Sequence, residues 1–248
     1  MEFRRKSDTL NLSETAMVYE DNVVHWFDAI TNKIQKNREL RSIAYTFSRN
    51  NNTIAIVPIQ EDSEELLSRL SLKDHYLPLI EKMSESRKRE WLTIRVLLKE
   101  MLGEEKVILY NSIGKPYLSD NSFHISISHT KGYAALIINR EHEVAIDIEK
   151  ISAKVETTRK KFVNEEEEKY LSKQNEKIHL LLYWSAKESL YKLLGIDKLD
   201  FKNNLHIQAF EPVIGEWSDF EAYETKTKFQ NCYKIKYFVH EDYVLTYI

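Results

Sequence analysis

Only 5 of the 248 residues are glycine, and 4 are proline. A backbone cradle for phosphates needs several glycines at fixed spacing, because glycine lets main-chain N–H groups approach an anion from a tight turn. The sequence has no P-loop, no G-x-G-x-x-G, no H-E-x-x-H, no G-x-S-x-G and no C-x-x-C. Cys232 is the single cysteine, which excludes disulfide frameworks and cysteine-based zinc sites. If such a chain handles phosphates, side chains and a metal ion must carry the charge. The 42% hydrophobic content supports a real core, and the low Gly and Pro content argues against a disordered or fibrous chain.

The 36 basic and 39 acidic residues leave a net charge of −3. That balance argues against non-specific coating of nucleic acid or an anionic membrane, while leaving room for a local basic patch. There is no run of about 18 apolar residues, and the opening MEFRRKSDTL lacks the apolar stretch of a secretory signal. The expectation is a soluble, cytoplasmic protein.

Residues 1–42 read as a polar extension of unassigned role. They contain one amphipathic stretch, in which Val23, Val24, Trp26, Phe27, Ile30 and Ile34 share a helical face. From Ile43 two strands are expected, Ile43–Phe47 and Thr53–Val57, with a turn at Arg49–Asn52. Helical segments follow at 61–70 and 73–83, then a longer helix over 84–102 that Gly103 stops. Strands are expected at 106–110, 123–128, 133–138 and 144–148, helices at 157–171 and 177–194, and further strands from Leu205 onward. The order gives an α+β protein whose second half, 143–248, repeats the logic of the first, 43–142.

Four segments carry candidate chemistry. In Val144–Glu149 the period of two turns Ala145, Asp147 and Glu149 to one face. Two carboxylates two residues apart lie ~6.5–7 Å apart at the backbone, near enough to converge on one hard cation; an ordinary solvated acidic face has the same letters. In the helix over 177–194, Leu182, Ala186, Leu190 and Leu193 form a packing stripe, while Trp184, Glu188, Tyr191 and Lys192 lie on another face. Glu188 and Lys192, at i and i+4, are either an exposed salt bridge or a metal ligand (or base) beside a phosphate partner. The strand His124, Ser126, Ser128, His129 offers a polar face suited to an anion, with Lys115 in the rigid turn Gly114-Lys115-Pro116. Helix 84–102 carries Arg87, Lys88, Arg89, Arg95 and Lys99, and the run Glu165–Glu168 reads as a solvated helix start.

The order of these motifs resembles the 4′-phosphopantetheinyl transferase superfamily, most of all its larger, two-half type. That order is Gly114-Lys115-Pro116, Ile125–His129, Val144–Glu149, Phe162 with Glu165 and Glu166, then Trp184–Ser189 with Lys192. The basic segment Arg87–Gly103 matches as well, and the likeness spans about Ile43 to Ile196. It implies two similar α/β halves with pseudo-twofold symmetry and coenzyme A in the cleft between them. It implies Mg²⁺, or Mn²⁺, on Asp147, Glu149 and Glu188. It also implies that Arg87, Arg89, Arg95, Lys115, Ser128 and His129 address the phosphates of coenzyme A. Catalysis would rest on Asp147, Glu188 and Lys192, with Glu188 or a water on the metal as base. The partner would be an apo acyl or peptidyl carrier protein, and the enzyme a monomer. Two departures from the pattern stand out: Ala145 stands where the family usually has Gly, and Ile125 or Ser126 stands where it often has Asn. The alternatives are a non-catalytic homologue that binds coenzyme A or a carrier protein, and an unrelated Mg²⁺-dependent phosphohydrolase.

Overall fold

The computed structural model describes residues 45–49 and 52–248. The amphipathic stretch from Val23 to Ile34, the start of the first strand and the centre of the first turn lie outside the described residues. Among those described, the first half builds an antiparallel sheet in the order β1-β2-β6-β5. Its strands are β1 (Tyr45–Arg49), β2 (Asn52–Pro58), β5 (His124–Thr130) and β6 (Tyr133–Asn139). A small hairpin of β3 (Ile108–Tyr110) and β4 (Pro116–Leu118) precedes β5, and sequence periodicity misses β4 because three residues show no alternation.

Period-two patterning splits the first sheet cleanly. Ala55, Val57, Leu136 and Ile138 pack under helix α3 (Glu85–Leu102), against Ile94, Leu97 and Leu98. The opposite face, with Ile54, Ile56, Ala135 and Ile137, packs against the second sheet through Ile146, Ile148, Leu245 and Tyr247. Helix α3 begins where the Ser84 hydroxyl accepts from the Arg87 N–H and stops at Gly103, whose φ of 72° suits glycine. Two shorter helices, α1 (Ser63–Ser68) and α2 (Lys73–Ile80), cover its outer flank through Leu66, Tyr76 and Ile80.

The second sheet runs β7-β11-β10-β9-β8, again antiparallel. It comprises β7 (Ile146–Lys150), β8 (Leu205–Ile207), β9 (Trp217–Glu224), β10 (Cys232–Val239) and β11 (Tyr243–Tyr247). Its face away from the first sheet carries a long helix, α6 (Glu176–Leu194), on Ile235, Tyr237 and Val244. The α+β expectation holds, as two antiparallel sheets packed on each other with a long helix outside each.

The single helix expected over 157–171 is two short ones, α4 (Lys154–Thr158) and α5 (Glu165–Lys169), with a 3₁₀ turn at Arg159–Lys161. The break lies at Asn164, whose side chain accepts from the Glu166 and Glu167 N–H groups while Glu167 reaches back to the Asn164 N–H. That reciprocal cap starts a helix. A last short helix, α7 (Phe201–Asn204), leads into β8.

His179 of α6 is fully buried against Tyr183 and Phe210; its Nδ1 accepts from the Ser172 N–H. Burial pushes its pKa down to about 4. The unfolded chain therefore takes a proton near pH 6.5 that the folded chain refuses. The stability is complete above that value and is lost as pH falls from about 6.5 toward 4, on the order of 2–3 kcal/mol. Urea unfolding of the protein and of His179→Gln between pH 7.5 and 4.5 should show a shallower fall for the variant; parallel curves would discard this assignment.

Candidate active site

The two sheets are joined along the edge strands β5 and β7, and hydroxyls make the seam. Ser126 Oγ accepts from the Ile146 N–H at 3.2 Å, Ser128 Oγ from Ile148 at 3.2 Å, and Thr130 Oγ1 from Lys150 at 3.0 Å. The spacing of two on both strands makes this a ladder in which side chains replace carbonyls. Ser126 and Ser128, expected to face an anion, line the cleft and also accept hydrogen bonds from β7. Ser128 also donates to Asp147 Oδ1 at 2.9 Å, so it positions a carboxylate.

Above the seam, between α3 and α6, lies a cleft of about 670 Å³ lined from both halves. Asp147, Glu149, Glu188 and Lys192 come from the second half, and Arg87, Arg95, Lys115, Ser128 and His129 from the first. Nine of the ten sequence-selected residues thus line one cavity. Arg89 does not: its guanidinium donates to the Ile59 and Glu61 carbonyls at 2.9 Å each, tying α3 to the loop after β2. Lys88 is likewise absent from the lining. Both follow from helix geometry. Arg87, Glu90, Trp91, Ile94 and Arg95 share one face at spacings of three and four, whereas Arg89 falls on the opposite side and Lys88 on the margin.

Asp147 is only 4% exposed, which rules out a solvated acidic face. Lys192 Nζ donates to its Oδ1 at 2.7 Å and to the Ile146 carbonyl at 2.9 Å. Lys192 therefore pairs across to β7 and not along its own helix with Glu188. Glu149 Oε1 accepts from Trp184 Nε1 at 2.7 Å. Burial, then the Asp147 charge, raises the Glu149 pKa, and the same two causes with Glu149 push Glu188 up to about 7. Ala145 is fully buried and pairs with Ile248 in both directions, so it makes no room for a ligand.

Among the described residues no group of three or more His, Cys, Asp or Glu side chains is gathered tightly enough to hold a metal ion. The chemistry of Asp147, Glu149 and Glu188, though not their spacing in this cleft, is that of ligands for a hard cation. The three groups are oxygen donors, the Asp147 charge helps raise the pKa of both Glu149 and Glu188, and the buried Asp147 Oδ2 has no hydrogen-bond partner.

On the opposite wall, Arg87 Nη1 lies 2.7 Å from His129 Nε2. Arg95 is buried with its guanidinium 3.2 Å over the Trp91 ring, its Nε unpartnered, and burial pushes its pKa down. Lys115 is ion-paired with Glu143 and reaches the Leu193 carbonyl at 3.4 Å. Helix α6 ends beside it at Gly195, where φ is 59° and a Cβ would meet Ile113 Cδ1 at 3.1 Å. That left-handed conformation ends the helix and suits glycine.

One pair behind the site escapes sequence reasoning. Lys187 and Glu167, 0% and 2% exposed, are joined at 2.7 Å, and Lys187 also donates to the Phe162 carbonyl at 2.6 Å. Glu167 is thus no solvated helix start. A signal exists: Leu180, Tyr183, Lys187 and Leu190 share one helical face, and a lysine interrupting such a face needs a buried partner.

A search of curated proteins returned no match. The family model described as the 4′-phosphopantetheinyl transferase superfamily matches residues 143–248, the segment that holds Asp147, Glu149, Glu188 and Lys192. The match covers this second half alone, which is similar to the 4′-phosphopantetheinyl transferase superfamily.

Proposed function

We propose that the protein transfers the 4′-phosphopantetheine group of coenzyme A to a serine hydroxyl of an apo acyl or peptidyl carrier protein and releases 3′,5′-ADP. The observation that carries this reading is one cleft with carboxylates and Lys192 on one wall and Arg87, Arg95, Lys115 and His129 on the other. Such walls suit a ligand that is a polyanion at one end and reacts at a phosphorus near the carboxylates. In this reading residues 43–142 and 143–248 are equivalent halves, residues 1–42 an extension, and the enzyme a cytoplasmic monomer.

A serine oxygen forms a bond to the β-phosphorus as the bond to the bridging oxygen of the pyrophosphate breaks; the leaving group carries away that oxygen and its electron pair. The serine proton goes to a base, and Glu188, at the cleft surface, is the group of this chain suited to receive it. Lys192 sits beside Asp147, where it offsets charge on the transferred phosphoryl group. Arg87 and His129 hold the outer phosphates, and Arg95, anchored on Trp91, fixes the depth of the pocket. A Mg²⁺ or Mn²⁺ ion on Asp147, Glu149 and Glu188 would neutralise the pyrophosphate.

The test is to incubate the protein with an apo carrier protein, coenzyme A and Mg²⁺, then weigh the acceptor. A mass gain of one phosphopantetheine is expected. No gain with several acceptors would overturn the reading, and coenzyme A hydrolysis without acceptor would point to a phosphohydrolase.

A further inference from the structure

Nearly every cation lining the cleft faces a carboxylate of the chain itself. Lys192 has Asp147 at 2.7 Å, Arg87 has Glu90 at 3.2 Å, and Lys115 is paired with Glu143. His129 Nε2, 3.7 Å from Glu90, accepts from Arg87, and Glu143 stands 3.5 Å from His124 Nδ1. Among the described residues Arg95 has no such carboxylate; it is held by Trp91 and Tyr110. Asp147 belongs to the proposed metal site, but Glu90 and Glu143 have no part in the chemistry. Glu90 lines the cleft and Glu143 is paired with the lining Lys115, and a carboxylate so close to an anion site opposes the ligand by simple Coulomb repulsion.

We propose that Glu90 and Glu143 are internal counter-anions, which hold Arg87 and Lys115 in the ligand-free cleft and are displaced when a polyphosphate ligand enters. The inference rests on the reading that this cleft takes the phosphates of coenzyme A. Its consequence is selectivity by charge number. A ligand with one phosphate replaces one carboxylate and leaves the other pair intact, whereas a ligand with several phosphates engages both groups of cations at once. The two carboxylates come from different places, α3 and the turn before β7, so the exchange reads both ends of the cleft.

The decisive variant is Glu143→Gln, because Glu143 is 56% exposed and its amide replacement leaves the fold intact. Calorimetric titrations with coenzyme A and with inorganic pyrophosphate, without divalent metal, compare the protein, this variant and Glu90→Gln. Removing the competitor should tighten binding by roughly two- to five-fold, the scale of an exposed ion pair. It should also steepen the dependence of affinity on salt, since the freed lysine now recruits a solution anion that the ligand must expel. Unchanged or weaker binding with an unchanged salt slope would overturn the inference, because a merely structural carboxylate predicts that result. If pyrophosphate binding tightens while coenzyme A binds to neither protein, the exchange stands and the coenzyme A reading falls. Binding of neither ligand by any of the three proteins overturns both.

Discussion

Lys187→Met should destabilise the protein by about 3–5 kcal/mol, a large fraction of what holds a typical domain together. The variant leaves Glu167 in a space where it is 2% exposed, with only the Ile207 and Asn164 N–H groups, each at 2.9 Å, to support its charge. Those two donors soften the loss but do not replace an ammonium. Burial pulls the Lys187 pKa down while Glu167 holds it up, so the pair survives as an ion pair only while both members are present. Denaturant unfolding measures the change. A loss below about 1 kcal/mol would mean that water reaches Glu167 and the pair is not a buried one. The expected damage is not confined to stability, because Lys187 precedes Glu188 and ties α6 to the Phe162 carbonyl.

Asp147→Ala is the second large expected effect, this time on activity. Carrier loading should fall by about 10²–10³-fold or more, the scale for removing one well-placed electrostatic group from a reacting centre. The fold should survive. The lost contacts are one hydrogen bond from Ser128 and one from Lys192, and Lys192 keeps the Ile146 carbonyl. Mass analysis of the acceptor gives the rate, and an unfolding curve beside it shows whether the protein is intact. A folded variant with undiminished transfer would remove Asp147 from the catalytic group.

The carboxylate strand is legible because a period of two is a property of neighbours. Ile146 and Ile148 enter the core between the sheets, and Asp147 and Glu149 turn the other way, as the letters imply. Helix α3 is legible to within a residue because Ser84 and Gly103 are local start and stop signals. What the letters hide depends on distant partners. Ser126 and Ser128 look like free hydroxyls until β7 supplies the N–H groups, and Arg89 looks like Arg87 until the loop at Ile59 and Glu61 takes its guanidinium. Lys192 looks like a partner for Glu188, but the nearer carboxylate lies on another element. In each case local spacing supplies the residue type, and the tertiary neighbour decides its use.

The hydroxyl seam bears on the order in which the chain assembles. Each of its bonds joins residues 20 positions apart, whereas β7 meets its other neighbour, β11, through pairs such as Ile148 with Leu245, roughly a hundred residues later. Closing the shorter loops carries a smaller entropic penalty, by about 1.4 kcal/mol for a fivefold difference in length. During synthesis the first sheet can therefore receive β7, and with it Asp147 and Glu149, while the C-terminal strands are still being made. Half of the reactive wall is laid down against the first half of the chain before the second has closed around it.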